Sequence, residues 1–217
     1  SRFNKVRVCS DFVVSFFLGS CVRSSSFLIV FCLFVGCDSR IETFKPNDVF
    51  SLALAKTRST STELASKDAS RIVEEFYGTP NEPRWPNSPV AKEVVGDERN
   101  LLRSSGPVSS EKDGTHLGLF REHCVTCHAL EGSGAGPASF FQYPYPRDFR
   151  HGVFKWKSTE RGRKPSRRDL RKLLTKGIPG TAMPSFALLD PEDLDALVDY
   201  VVFLSARGEV ERRVTAA

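Results

Sequence analysis

The stretch Cys124-Val125-Thr126-Cys127-His128 organises the second half of this sequence. It contains two thiols three positions apart, followed at once by an imidazole. Side chains three positions apart are neighbours on one turn of a helix, so both thiols can react with the same ligand. The motif therefore predicts a site where one ligand is attached covalently and is also bound by the histidine.

Three kinds of site use a Cys-x-x-Cys pair. In c-type haem attachment the thiols add across the two vinyl groups of haem, and the next residue, His128, becomes an axial ligand of the iron. A thioredoxin-like redox pair would follow a strand of a βαβ unit, but no apolar strand pattern precedes Cys124. A zinc site would need more ligands, but no cysteine follows Cys127 and the only later histidine is His151. The motif therefore favours haem attachment.

The only methionine of the chain, Met183, is the candidate for the second axial ligand. It lies in the segment Lys176–Pro184, whose glycines and prolines predict an irregular backbone. A lone methionine more often fills a core. Its position downstream of the haem motif nevertheless favours iron ligation through the soft thioether sulfur. The competing ligands are the histidines His116, His123 and His151, of which the last two are predicted to be surface residues.

Apolar periodicity and capping residues predict three helices around these positions. The predicted helices begin at Asp113, at the Ser166-x-x-Asp169 capping box and at Asp190. Gly177 and Gly208 are predicted to end the second and the third helix. The predicted buried faces consist of Leu117, Phe120 and Cys124, of Leu170, Leu173 and Leu174, and of Leu194, Leu197, Val198 and Val201.

The segment Glu131–Pro137 follows the motif and contains three glycines before its proline. With this Gly-Pro pair the sequence resembles class I c-type cytochromes, whose pattern places Gly-Pro shortly after the haem motif. The resemblance covers residues 111–210 and implies an all-α fold of three or more helices around a single haem. It also implies that the carbonyl of Pro137 accepts a hydrogen bond from the axial histidine. The helix contact that the family pattern implies pairs Gly118 or Phe120 with Tyr200 or Phe203.

The resemblance implies electron transfer by one haem c, bound covalently through two thioethers. The iron would cycle between its ferric and ferrous states while His128 and Met183 stay bound. With both axial positions filled no site remains for a small-molecule substrate, so the chain is predicted not to be an enzyme in its own right. Two other classes stay open: a haem enzyme or sensor in which Met183 dissociates, and a cytochrome subunit of a larger membrane oxidoreductase.

The segment from Arg147 to Lys176 carries twelve basic and three acidic residues, a local charge of +9. It is predicted to be a docking face for an acidic redox partner, because charge steers such encounters. Arg147 and Trp156 are also candidates for cofactor binding, since both can donate hydrogen bonds to the haem propionates. A solvated surface without a partner and an anionic lipid surface are the alternatives. Nucleic acid is not an expected partner of an exported haem protein.

Residues 1–37 form a predicted leader that contains four of the six cysteines. Its apolar core, Phe27–Gly36, has the length of an export signal and is short for a membrane span. The core ends before Cys37 in a small residue, which resembles a bacterial lipoprotein signal peptide with a lipidated cysteine. A plain export signal or an uncleaved anchor is the alternative. Each of these predicts that the remainder lies on the periplasmic side of a bacterial membrane.

The composition is that of a soluble globular protein, with 40% hydrophobic and 26% charged residues in a chain of 217 and a net charge of +5. No uninterrupted run of 18 apolar residues occurs, which argues against a transmembrane helix. Residues 38–110 are polar and predict a tether that contains one amphipathic helix, Asp68–Tyr77. The predicted apolar face of this helix consists of Ile72, Val73 and Phe76. Residues 211–217 are predicted to be a tail.

Overall fold

A computed structural model describes residues 42–87 and 96–217, and helices form about half of these residues. The α-helices are α1 (Asp48–Arg58), α2 (Glu63–Tyr77), α3 (Glu98–Ser104), α4 (Leu119–His123), α5 (Val125–His128), α6 (Arg167–Lys176) and α7 (Pro191–Ala216). Two 3₁₀ helices span Pro137–Phe141 and Phe149–His151. The strands β1 (Ser109–Ser110) and β2 (His116–Leu117) pair antiparallel, with Ser109 opposite Leu117. The prediction of an all-α fold is therefore confirmed.

The C-terminal helix α7 lies at the centre of the packing. Pro191 occupies its first turn, where a missing backbone N–H costs nothing, and Glu192 and Asp193 place negative charge at its positive end. The predicted stripe on this helix is buried, and so are Tyr200, Phe203 and Leu204 on other faces. Because α7 is covered on several sides, it forms the core of the whole described chain rather than of one end of it.

Gly208 does not end α7, as the sequence predicted; the helix continues to Ala216. A Cβ atom at this position would overlap the side chain and the backbone of Arg150, so the glycine permits close packing of a neighbouring segment. The predicted tail, residues 211–217, is therefore mostly helical, and Glu211 within it is fully buried. The physical reason is that a glycine inside a helix costs only about 1 kcal/mol, which tertiary packing readily offsets.

The described part of the predicted tether, residues 42–87 and 96–110, packs on α7, and this corrects the prediction. Phe44, Val73 and Leu101 are fully buried in the same cluster as the residues around the motif. The ring of Phe203 on α7 lies 5.4 Å from the ring of Trp85, and the rings that surround it on the other sides are those of Phe44, Tyr77 and Tyr200. Single apolar residues separated by polar ones contribute to this core, so no local pattern reveals it.

Helix α2 buries a different face from the predicted one. Val73 is fully buried as expected, but Ile72 is 36% exposed and Phe76 is 57% exposed. The buried face consists of Ser66, Ala69, Ser70, Val73 and Tyr77. Small side chains on this face permit close approach of α2 to its neighbours. The prediction was wrong because it placed the large side chains of Ile72 and Phe76 on the buried face.

Two buried acids of α7 bind the N-terminal segments. The carboxylate of Glu211 accepts a hydrogen bond from the backbone N–H of Asn47 at 2.9 Å and pairs with the buried guanidinium of Arg207. The carboxylate of Asp199 accepts hydrogen bonds from the backbone N–H of Asp97 at 3.2 Å and from the side chain of Asn100 at 2.8 Å. These buried polar contacts fix the position of the N-terminal segments on α7.

The helix before the motif begins later than predicted. Asp113 accepts a hydrogen bond from the N–H of Thr115 in the turn of the β1–β2 hairpin, and Leu117 belongs to β2. Helix α4 begins at Leu119, after Gly118 at a φ of +78°. A Cβ atom on Gly118 would come within 2.6 Å of the carbonyl oxygen of Pro107, so both its backbone angle and its surroundings require glycine.

Two other local predictions are confirmed. The side chains and backbone groups of Ser166 and Asp169 form the capping box at the start of α6, and Gly177 follows its last residue. The rings of Phe120 and Tyr200 lie 4.9 Å apart, which is one of the predicted contacts between the first and the last helix.

The predicted leader, residues 1–37, lies outside the described residues. No helix within the described ranges combines the length and the apolar content that a membrane span requires.

Candidate functional site

The motif residues lie on a single turn around α5. The backbone N–H groups of Cys127 and His128 both donate to the carbonyl oxygen of Cys124, at 3.1 and 2.8 Å. Both cysteines are free thiols, and Cys124 is buried. Burial, with a smaller contribution from the neighbouring Cys127, raises the pKa of Cys124 to about 12. A thiol that stays protonated is unlike the low-pKa nucleophile of a thioredoxin-type site.

A cavity of about 510 Å³ adjoins the motif. Cys124, Cys127, His128 and Met183 all line it, although Met183 is far from the others in sequence. The predicted cofactor-binding residues Arg147 and Trp156 line it as well. Much of the remaining wall is apolar and comes from Phe149, Phe154, Leu170, Leu174, Val198 and Val201. The volume is within the usual range of pockets that bind a small molecule or cofactor.

Two contacts orient the ring of His128. Its Nδ1 atom lies 3.0 Å from the carbonyl oxygen of Arg147. A carbonyl can only accept, so Nδ1 carries the proton and Nε2 keeps its lone pair for a metal. The ring also stacks on Phe149, with 4.4 Å between the ring centroids and 21° between the planes. Burial lowers the pKa of His128, although the hydrogen bond to the Arg147 carbonyl acts in the opposite direction. The lowered pKa favours the neutral imidazole, which is the form that binds a metal.

The predicted contact of Pro137 with the axial histidine is wrong in this structure. Pro137 is exposed, begins a 3₁₀ helix and does not line the cavity. The preceding Gly136 donates its N–H to the carbonyl of Cys127, so the Gly-Pro turn binds the backbone of the motif instead. The carbonyl that the histidine requires comes from Arg147, ten residues later. Arg147 directly precedes Asp148, which caps the second 3₁₀ helix.

The loop after α6 brings Met183 to the cavity. Gly177 ends α6 with a φ of +65°, and a Cβ atom there would lie 2.8 Å from the carbonyl oxygen of Met183. The same carbonyl accepts a hydrogen bond from Ile178 at 3.2 Å, and the hydroxyl of Thr181 accepts one from the N–H of Met183 at 3.1 Å. The loop is thus folded back against the helix end and holds the half-buried Met183 in a defined place.

The other histidines have separate contacts. His116 pairs with the carboxylate of Glu122, and His151 lies 3.5 Å from that of Asp148. His123 is half-buried, lines the cavity and packs against Phe186, so its prediction as a surface residue is corrected. Within residues 42–87 and 96–217, no three His, Cys, Asp or Glu side chains are grouped as a metal cluster would require.

The donor set of the cavity fits a haem. Two thiols are present for covalent attachment, an imidazole and a thioether are present for the iron, and the walls are largely apolar. Sequence reasoning missed two residues of this site. Phe149 stacks on the histidine, and Gln142 donates its side-chain N–H to the sulfur of Cys127 at 3.1 Å.

Several basic side chains of the segment 147–176 form ion pairs within the protein. Arg150, which is almost fully buried, pairs with Asp148 at 2.8 Å. Three further pairs join the segment to α7, namely Lys164 with Glu209, Arg167 with Asp199 and Arg171 with Asp195. The exposed basic residues that form no ion pair with the described residues include Lys155, Arg161, Arg163, Arg168 and Lys172. The segment therefore has a structural role in addition to the predicted surface role.

Residues 115–201 match the family model described as cytochrome c oxidase, cbb3-type, subunit III. The match spans the motif, the cavity wall and the methionine loop. These residues form a c-type cytochrome domain, and the predicted class I cytochrome c fold is confirmed. A domain of this kind binds haem and transfers electrons.

One solved structure shows a partial likeness. It is the reducing HAO-like protein complex of Kuenenia stuttgartiensis, in which a chain is 27% identical to this one with a TM-score of 0.38. The likeness covers 44% of this chain and 42% of that chain, so it spans less than half of the length of either. No curated protein matches the chain.

Proposed function

We propose that the chain is a one-electron carrier that holds a single haem c. In this proposal Cys124 and Cys127 would hold the haem through thioethers, and His128 and Met183 would bind its iron. The bound haem supplies reversible one-electron chemistry, since its iron alternates between ferric and ferrous states. The observation that carries the proposal is that all four side chains line one cavity of about 510 Å³.

The residues of the site act by orientation and by exclusion of water. The carbonyl of Arg147 holds the Nδ1 proton of His128, so Nε2 remains the metal-binding atom, and the hydrogen bond increases its basicity. The apolar wall lowers the local dielectric constant around a charged iron. The thioether of Met183 favours the reduced state relative to a second nitrogen ligand, so both effects raise the reduction potential.

If His128 and Met183 both bind the iron, no coordination position would be left for a substrate, and we infer a carrier rather than an enzyme. The test is the ferric absorption spectrum of the holoprotein, matured in a host that attaches haem. We expect a weak far-red band from sulfur–iron charge transfer, and no binding of carbon monoxide by the reduced protein. An open iron would lack the band and bind carbon monoxide readily.

Met183→Ala should keep the haem attached and lose the far-red band, because the cysteines are intact and the thioether is gone. The control variant is Thr181→Ala, which removes a hydrogen bond to the backbone of Met183 but leaves its sulfur in place. We expect the control to keep the band. An unchanged band in Met183→Ala would contradict the proposed ligation.

A cytochrome subunit of a larger membrane oxidoreductase is the second candidate. The description of the matching family model, a subunit of an oxidase, favours it. A native gel of protein extracted with mild detergent and stained for haem separates the two functions. A free carrier migrates as a small species that contains one chain, whereas a subunit migrates with a large complex.

We also infer from the leader that the protein acts outside the cytoplasm and is anchored to a membrane. The apolar core before Cys37 supports this, and the intact mass of membrane-extracted protein tests it, because cleavage and lipidation change that mass in opposite directions.

For redox partners, we propose docking on the exposed basic residues of segment 147–176. Their positive charge would steer an acidic partner, at a rate that falls as salt is added.

A further inference from the structure

Five exposed aromatic side chains lie in the segment between the motif and α6. Their exposed fractions run from 60% for Trp156 to 93% for Tyr143. The members of this aromatic rim are Phe140, Phe141, Tyr143, Tyr145 and Trp156. In contrast, Phe44, Phe120 and Phe203 of the core are at most 1% exposed. Large apolar side chains that are exposed and concentrated in one segment in this way often mark a surface that contacts another molecule.

The aromatic rim adjoins the mouth of the cavity. Tyr145 and Trp156 line the cavity themselves. Gln142 lies between Phe141 and Tyr143 in sequence, and its side chain donates to the sulfur of Cys127 at 3.1 Å. The rim is therefore next to the sulfur atom that the proposed function assigns to haem attachment. Because the rate of electron tunnelling falls steeply with distance, a partner seated here would lie on a short route to the cavity.

The base of the rim is held in place. Phe140 and Phe141 belong to the 3₁₀ helix Pro137–Phe141, and their rings contact each other edge to face with centroids 5.4 Å apart. The hydroxyl of the buried Ser139 donates to the carbonyl of Gly136, whose own N–H donates to the carbonyl of Cys127. The rim is thus fixed to the backbone of the motif, and a preformed surface loses little entropy when it binds.

The charge around the rim is positive. Arg147 and Lys155 line the cavity mouth and form no ion pair with residues of the described ranges. The only carboxylate between residues 137 and 157, that of Asp148, is bound by Arg150. A complementary partner surface has an apolar centre and an acidic margin. A lipid surface with negative headgroups would also complement the positive charge of the rim, but it holds no redox centre. Because the rim lies beside the cavity, we favour a redox protein as the partner.

We propose that the aromatic rim is the contact surface for a redox protein whose own docking face is apolar at its centre and acidic at its margin. The inference rests on the proposed electron-carrier function and goes beyond it, since it assigns the contact to segment 140–156 and its aromatic groups. The basic residues nearby steer the partner, and the aromatic groups hold it.

The test measures electron exchange between the full-length holoprotein and reduced flavodoxin, an acidic flavin protein, by stopped flow. The variant is Phe140→Ser with Phe141→Ser, and the matched control is Phe76→Ser, an exposed phenylalanine on α2. We expect the double variant to lower the second-order rate constant by about tenfold, as loss of central aromatic contacts does in interfaces. Exchange with hexaammineruthenium, which needs no docking surface, should stay unchanged in both variants.

A double variant that exchanges with flavodoxin as fast as Phe76→Ser does would overturn the proposal. So would an equal loss of rate with both reagents, since this would place the effect on the haem rather than on docking. Sedimentation with vesicles of phosphatidylcholine and phosphatidylglycerol gives a further outcome. If the double variant loses vesicle binding and keeps its rate with flavodoxin, the rim binds lipid and the proposal is wrong. A wild type that fails to exchange even with hexaammineruthenium would instead contradict the electron-carrier function.

Discussion

The ring of His128 takes its orientation from residues outside the motif. The carbonyl of Arg147 fixes the ring tautomer, and the ring of Phe149 fixes its plane. Phe149 is itself held, since its N–H donates to the carbonyl of Gly132 and its ring stacks at 6.1 Å on that of Phe154. In the proposed haem site the motif would supply the ligand, and the contacts with Arg147 and Phe149 would fix the orientation of its ring.

Phe149→Leu should therefore change the electronic properties of the haem more than the stability of the fold. We expect attached haem, a lower reduction potential because water gains access to the ferric iron, and a loss of stability of about 1 kcal/mol. Redox titration and ferric electron paramagnetic resonance measure the effect. The control is Phe120→Leu, which removes a buried ring that packs on Tyr200 and does not line the cavity. Equal potentials in the two variants would show that the stack on His128 has no special role.

At the scale of elements, the features that sequence predicted well are local. The capping box of α6 and the start of α7 depend on residues within one turn, so their signals are complete in the sequence. The actual hydrogen-bond partner of His128 could not be predicted, because a backbone carbonyl has no residue-specific signal. The end of α7 was misplaced for a related reason: the packing of Arg150 on Gly208 is a long-range contact.

The capping box of α6 predicts a pH dependence of stability. Hydrogen bonds from the backbone and hydroxyl of Ser166 lower the pKa of Asp169 from 3.8 to about 2. A carboxyl with a lowered folded-state pKa stabilises the fold above its unfolded-state pKa, and this contribution disappears as the pH falls from about 4 to about 2. Thermal unfolding of wild type and Asp169→Asn across this range tests it. We expect the difference in Tm to be largest above pH 4 and to be much smaller at pH 2; a constant difference would contradict the assignment.

At the scale of the whole molecule, the N-terminal segments and the cytochrome domain share one core. The described residues belong to one compact unit, and Phe203 of α7 contacts rings from both parts. Sequence reasoning divided the chain at residue 110 because the preceding stretch is polar on average. Its few apolar residues, among them Phe44, Val73 and Leu101, nonetheless pack in the core around α7. The average composition of a stretch does not show where its apolar residues lie in the fold.

Phe203→Ala should therefore destabilise both parts together, by about 3–5 kcal/mol, as expected for loss of a fully buried ring. Thermal unfolding followed by haem absorbance and by far-ultraviolet circular dichroism should give a single transition with coincident midpoints. The control is Phe76→Ala, whose ring is 57% exposed and whose midpoint should change little. Two separated transitions would show that the N-terminal segments fold independently of the cytochrome domain.

Peptide mass spectrometry of the holoprotein is the sharpest test of the proposal that this chain attaches one haem through Cys124 and Cys127. Trypsin cleaves after Arg121 and Arg147, so both thiols fall in the single peptide 122–147. We expect this peptide to carry the added mass of one haem and neither thiol to react with iodoacetamide. An unmodified peptide with two reactive thiols, from protein matured in a host that attaches haem, would contradict it.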